Sequence, residues 1–108
     1  DMALGNAINT VQLSMVDEVQ IVEFRLNSIY PNPFNPNTTI PFALPEEGHV
    51  KISVYNLQGY EIAELVNQVF NAGDHIINWD GSELSSGVYL INMQSGGFNT
   101  TQKVVLMK

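Results

Sequence analysis

Tyr30-Pro31-Asn32-Pro33-Phe34-Asn35-Pro36-Asn37-Thr38-Thr39-Ile40 is the stretch where irregular backbone gives way to strand. Pro31, Pro33 and Pro36 remove three backbone donors and fix three φ angles. Each also pushes the residue before it towards extended geometry. Asn32 and Asn35 can bond their own backbone, which favours turns. The first half is therefore a stiff, extended segment with no regular ladder of its own. From Thr38 the chemistry switches to β-branched residues suited to a pleated surface. A stiff segment loses little entropy on docking, so Tyr30 and Phe34 are expected to fold back onto the domain that follows.

Downstream, the pattern is strand and turn. Ile40, Phe42 and Leu44 share one face, and Pro41 between them cannot donate to a ladder, which predicts an edge position there. Pro45-Glu46-Glu47-Gly48 reads as a turn. Val50, Ile52 and Val54 form the next inward face, with Lys51, Ser53 and Tyr55 opposite. Asn56-Leu57-Gln58-Gly59 reads as a tight hairpin loop in which Gly59 supplies positive φ. Ile62, Ala63, Leu65 and Val66 break the alternation, as a bulge or a short helical turn would. Asn71-Ala72-Gly73-Asp74 turns the chain again, and His75, Ile77 and Trp79 share the next face. Ser82 to Gly87 is a loop. Tyr89, Ile91 and Met93 oppose Val88 and Leu90, and a strand apolar on both faces belongs inside a sheet. Ser95-Gly96-Gly97 leads into a last strand in which Val104 and Leu106 alternate with Val105 and Met107. The fold class is all-β, an antiparallel sandwich of about seven strands with turns every 8–12 residues or so. Phe42, Ile52, Val54, Trp79, Tyr89, Ile91 and Leu106 are its expected core.

Upstream lies an arm, residues 1–27, ahead of a domain over residues 28–108. Val11, Leu13 and Met15 alternate with Gln12 and Ser14, and Val19 to Leu26 is a second strand candidate. Ordinary linkers are polar or proline-rich. This arm is neither, and its two apolar stripes need a sheet to join.

Composition narrows the function classes. The 108 residues suit one domain, and 44% hydrophobic residues fit a globular class. With no cysteine, stability rests on neither disulfides nor thiolate metal sites. Eleven acids against four bases give a net charge of −7, and Arg25, Lys51, Lys103 and Lys108 do not cluster, which disfavours nucleic acid as a partner. No apolar run reaches the ~18 residues of a membrane span. The chain starts at Asp1 with no visible signal peptide, as a processed product or an excised piece would.

No catalytic constellation emerges. No serine stands in a Gly-x-Ser-x-Gly elbow, and His49 and His75 lie in different elements. His75 reads as a hydrogen-bonded histidine at the core margin, and Trp79 and Tyr89 read as core aromatics before a ligand platform. Asp74, Asp80 and Glu83 sit near glycines, but their spacing matches no EF-hand loop, and Asp80 is expected to accept bonds within its own turn. Asn37-Thr38-Thr39 and Asn99-Thr100-Thr101 match the glycosylation acceptor pattern, a short match in a chain rich in asparagine. Catalytic, cofactor and metal residues are all read as none.

Taken in order, Tyr30-Pro31-Asn32-Pro33-Phe34-Asn35-Pro36, Asn56-Leu57-Gln58-Gly59, Ala72-Gly73, Trp79-Asp80-Gly81, Ser85-Ser86-Gly87-Val88-Tyr89 and Lys103-Val104-Val105-Leu106-Met107-Lys108 resemble a known family. It is that of the type A C-terminal sorting domains of bacterial type IX secretion, the Por secretion C-terminal domain. The later segments are also similar to the immunoglobulin-like domain of flagellar hook-capping proteins. The resemblance implies an immunoglobulin-like sandwich at the end of a secreted, cell-surface or extracellular protein. It implies an outer-membrane translocon and a sortase-like peptidase as partners, with cleavage within or before residues 1–27 and attachment of cargo to lipopolysaccharide. The implied sorting motif comprises Tyr30, Pro31, Asn32, Pro33, Phe34, Asn35, Pro36, Gly87, Tyr89, Lys103, Val104, Leu106 and Lys108. Without the resemblance, Lys103 and Lys108 bracketing an apolar strand would be edge protection.

Two functional expectations follow. One is a non-enzymatic module that directs export and surface attachment. The alternative is a structural subunit of an extracellular filament, a homo-oligomer in which Val11, Leu13 and Met15 donate a strand to a neighbouring copy.

Overall fold

The computed structural model describes residues 23–108. The strand expected at residues 9–16, with Val11, Leu13 and Met15, lies outside the described residues, as does the first half of the one at 19–26. Among the described residues there are seven strands: β1 Arg25–Leu26, β2 Asn37–Leu44, β3 Gly48–Tyr55, β4 Glu61–Phe70, β5 Gly73–Asp80, β6 Gly87–Ser95 and β7 Phe98–Leu106. They form two antiparallel sheets, β1-β2-β5 and β4-β3-β6-β7, consistent with an immunoglobulin-like sandwich.

Period-two alternation explains the core between the sheets. Ile40, Phe42 and Leu44 from β2 meet Val50, Ile52 and Val54 from β3, with Trp79, Tyr89, Ile91, Met93, Val104 and Leu106 completing the layer. All seven expected core residues are buried. β6 runs inside its sheet between β3 and β7, which accounts for its apolar residues on both faces. Gly59 has φ 93° in the β3–β4 hairpin, where Asn56 Oδ1 accepts from the Gln58 and Tyr60 amides. The broken alternation of β4 resolves as register shifts against Ile52/Ser53 and Val54/Tyr55, so the irregularity is bulged strand and not helix.

Pro41 does not make β2 an edge strand. β2 is the middle of three, fully paired with β5 on one side. The nitrogen of Pro41 faces the other side, where β1 is only two residues long and Asn27 N–H donates to Pro41 O at 2.9 Å. A short partner leaves the missing donor without consequence. Phe24 stacks on Phe98 with ring centroids 5.4 Å apart, so the end of the arm packs on the sandwich.

Candidate functional site: a clasp on the terminal strand

Residues 27–36 run between the two sheets along the outer edge of β7, and most of the bonds they make are long-range. Proline placement dictates which groups are free to bond. Tyr30 and Phe34 keep their amides, and Asn32 adds a side-chain carboxamide with the donor and acceptor of a peptide group. Tyr30 and Thr39 exchange backbone bonds of 3.0 and 2.8 Å, which ties the segment to β2. On the other flank, Asn32 Nδ2 donates to Lys103 O at 3.0 Å, and Val105 N–H donates to Asn32 Oδ1 at 2.9 Å. One step further, Phe34 N–H donates to Val105 O and Met107 N–H donates to Phe34 O, both at 2.9 Å. The outward-facing backbone of β7 is thus occupied from Lys103 O to Met107 N–H. A real strand would do this with its backbone, whereas here a side chain substitutes where prolines have removed the donors.

Gln102 extends the seam. Its Nε2 donates to Leu26 O and Asn27 O at 2.9 and 2.7 Å, and Ile29 N–H donates to its Oε1 at 3.3 Å. Thr38 Oγ1 donates to Pro31 O at 2.8 Å. Gly81 N–H donates to Pro36 O at 2.8 Å, which fixes the far end.

Phe34 is the apolar anchor. It is 2% exposed, and its ring lies 5.2 Å from that of Trp79, which in turn meets Tyr89 edge-on at 6.0 Å. A Cβ on Gly81 would come within 3.3 Å of both Phe34 and Leu106, so only glycine leaves room for the ring at that point. Tyr89 O–H donates to Ser85 O at 2.6 Å, the arrangement of a tyrosine corner. Phe34, Trp79, Gly81, Tyr89 and Leu106, from four of the motif segments, thereby become one packed cluster, while Gly73 lies at the other end of β5.

Tyr30 departs from expectation. Phe34 folds in, but the Tyr30 ring is 55% exposed. Its backbone pairs opposite Thr39, whose side chain is on the outer face of β2, and facing residues on antiparallel strands point the same way.

The chain end is anchored too. Lys108 N–H donates to Ser86 Oγ at 3.0 Å, and its Nζ donates to Ser82 O at 2.6 Å. Asp80 Oδ1 accepts from Ser82 N–H at 2.9 Å, as its turn chemistry implied. The Ser82 backbone and hydroxyl bonds, with a lesser pull from Lys108, hold the Asp80 carboxyl below the usual carboxylate range. His75 Nε2 lies 2.7 Å from Asn71 O, and the ring stacks on Phe42 at the core margin.

A family model described as the secretion system C-terminal sorting domain matches residues 28–107. The chain belongs to this family. The matched span begins beside the clasp and ends at Met107, so it contains both partners of the seam. No curated protein matches the chain. As a sorting domain it serves export by type IX secretion, to the cell surface or the extracellular space.

Three residues escaped the sequence reading as structural partners: Asn27 at the end of the arm, and Ile29 and Gln102 within the matched span. Each is joined to the seam by bonds spanning more than seventy residues or by packing, and no local pattern marks such pairs. Among the described residues no group of three or more histidines and carboxylates is placed to hold a metal ion. No helix among them is long and apolar enough to cross a membrane.

Proposed function

We propose that the signal read by the type IX translocon is the end of β7 and the tail, Lys103 to Lys108, held in one register by the clasp. The observation that carries this reading is the pair of bonds between Asn32 and β7, continued by Phe34. A terminal strand with an unpaired edge would frequently pair with the wrong strand in a crowded periplasm. With its edge filled, β7 offers only side chains: Lys103 and Met107 are exposed, and Lys108 lies beside the Ser82–Ser86 loop. Val104 and Leu106 point inwards, so their role is to seat the strand. Tyr89 and Gly87 shape the neighbouring strand that carries it.

In this reading the translocon takes the folded domain by that face, and a sortase-like peptidase cuts upstream of it, within or before residues 1–27. The cargo is then joined to lipopolysaccharide. The domain itself carries no catalysis. The filament alternative rests on Val11, Leu13 and Met15, outside the described residues, and the sorting reading stands ahead of it.

The test is a fusion of residues 28–108 to an unrelated periplasmic protein in a type IX host. The fusion should reach the surface, and Lys103→Ala with Lys108→Ala should reduce surface display several-fold while the fusion stays folded. Undiminished display of the double variant would remove the tail from the signal.

A further inference from the structure

β5 is finished quite differently from β7. It pairs with β2 in unbroken register, Gly73 opposite Leu44 through Asp80 opposite Asn37. Thr39 and the Pro41 carbonyl face the clasp side of β2, so Ile40, Phe42 and Leu44 face β5. Antiparallel pairing then turns the backbone groups of His75, Ile77 and Trp79 towards β2, and those of Asp74, Ile76 and Asn78 away from it. These outward groups have no backbone partner among the described residues. Strand edges are normally blunted by proline, lysine, a bulge or a cover. β5 has none of the first three, its only carboxylates are Asp74 and Asp80, and no described residue covers it. The other open strand, β4, does carry bulges. Ile76 is 62% exposed at the middle of this edge.

We infer that β5 is a homodimer interface, in which two copies of the chain join their three-stranded sheets edge to edge. The occupant follows from the residues themselves. A two-fold axis at Ile76 places Ile76 against its own copy and Asp74 against Asn78 of the second copy, because the paired numbers must have a constant sum. Asp74, Ile76 and Asn78 then form narrow pairs that exchange two backbone bonds each. Isoleucine meets isoleucine, Asp74 of each copy meets Asn78 of the other, and Asp80 faces Ala72. Neither Asp74 nor Asp80 opposes a carboxylate, so the edge is self-complementary, as a two-fold interface must be. A register shifted by two residues, centred on Asp74 or Asn78, loses the isoleucine pair. The result is a continuous sheet, β1-β2-β5 joined to β5-β2-β1 of the second copy.

Sedimentation velocity on the intact 108-residue chain across a concentration series tests this. The chain should pass from monomer to dimer. Asn78→Asp sets carboxylates against each other at two symmetric positions, and should weaken association about tenfold or more. It keeps the oxygen that accepts from Thr39 Oγ1 at 3.1 Å, so the fold is spared. Asp74→Lys combined with Asn78→Asp makes each facing pair opposite in charge, and should restore the dimer. Ile76→Lys should give a monomer whose thermal midpoint matches that of the parent chain diluted to monomer. A chain that stays monomeric throughout overturns the inference. So does association that survives both Asn78→Asp and Ile76→Lys, or that is lost in Leu13→Asp alone, which would assign it to the arm.

Discussion

β7 and β5 are both outer strands of their sheets, and they are completed in opposite ways. β7 is covered by a segment with too few amides to be a strand, which borrows the Asn32 carboxamide to complete the ladder. β5 keeps a regular edge of eight residues that no described residue covers. The covered edge belongs to the strand we propose as the sorting tail, and the cover fills its outward backbone groups. The open edge runs from Gly73 to Asp80, whose turn meets the tail through Ser82, and in our inference it serves association. The same backbone chemistry therefore supports two outcomes, decided by whether a proline-rich segment lies alongside.

The comparison breaks most severely at Phe34. Phe34→Ala empties the space between Trp79, Gly81 and Leu106, and should cost about 3–5 kcal/mol. Denaturant unfolding followed by Trp79 fluorescence measures it, and a loss below about 1 kcal/mol would mean that the clasp is not anchored by its ring. Asn32→Ala is gentler, because its bonds to β7 lie at the surface. It should cost about 1–2 kcal/mol and speed hydrogen exchange at the Val105 amide while sparing β3 and β6.

On the open edge, the matching change should do little. Ile76→Lys removes no buried contact and should alter the stability of the folded chain by no more than about 0.5 kcal/mol. A large loss there would show that β5 depends on its outer face after all.

The smallest effect concerns pH. Asp80 has a lowered folded pKa, so its contribution is complete above the unfolded value, about 3.9, and disappears as pH falls through the lower folded value. Acidification through that window should loosen the Ser82 turn, and with it the anchor of Lys108. Thermal midpoints against pH should show a shallow step that Asp80→Asn lacks.

Much of the fold was legible because alternation is local. Ile40, Phe42 and Leu44, or Val50, Ile52 and Val54, announce a buried face within six residues, and all are fully buried. Gly59 announced its turn by the same local logic. The bulges of β4 were legible only as a break in pattern, since strand and helix both interrupt a period of two. Pro41 misled because a missing donor says that one side is unpaired, not which side or for how long. The family likeness named the residues of the clasp and tail, but not that they touch. Asn32 and Val105 are far apart in the chain, and only the closed sandwich brings a carboxamide opposite that edge.

Surface display of the reporter fusion carrying Asn32→Ala tests the central claim most directly, with Trp79 fluorescence confirming a folded domain and hydrogen exchange confirming a freed Val105 amide. If the clasp holds the sorting strand in the form that is read, display should fall several-fold although every exposed side chain of the tail is intact. Undiminished display, with the seam demonstrably open, would show that the tail is read without its clasp and would contradict the account.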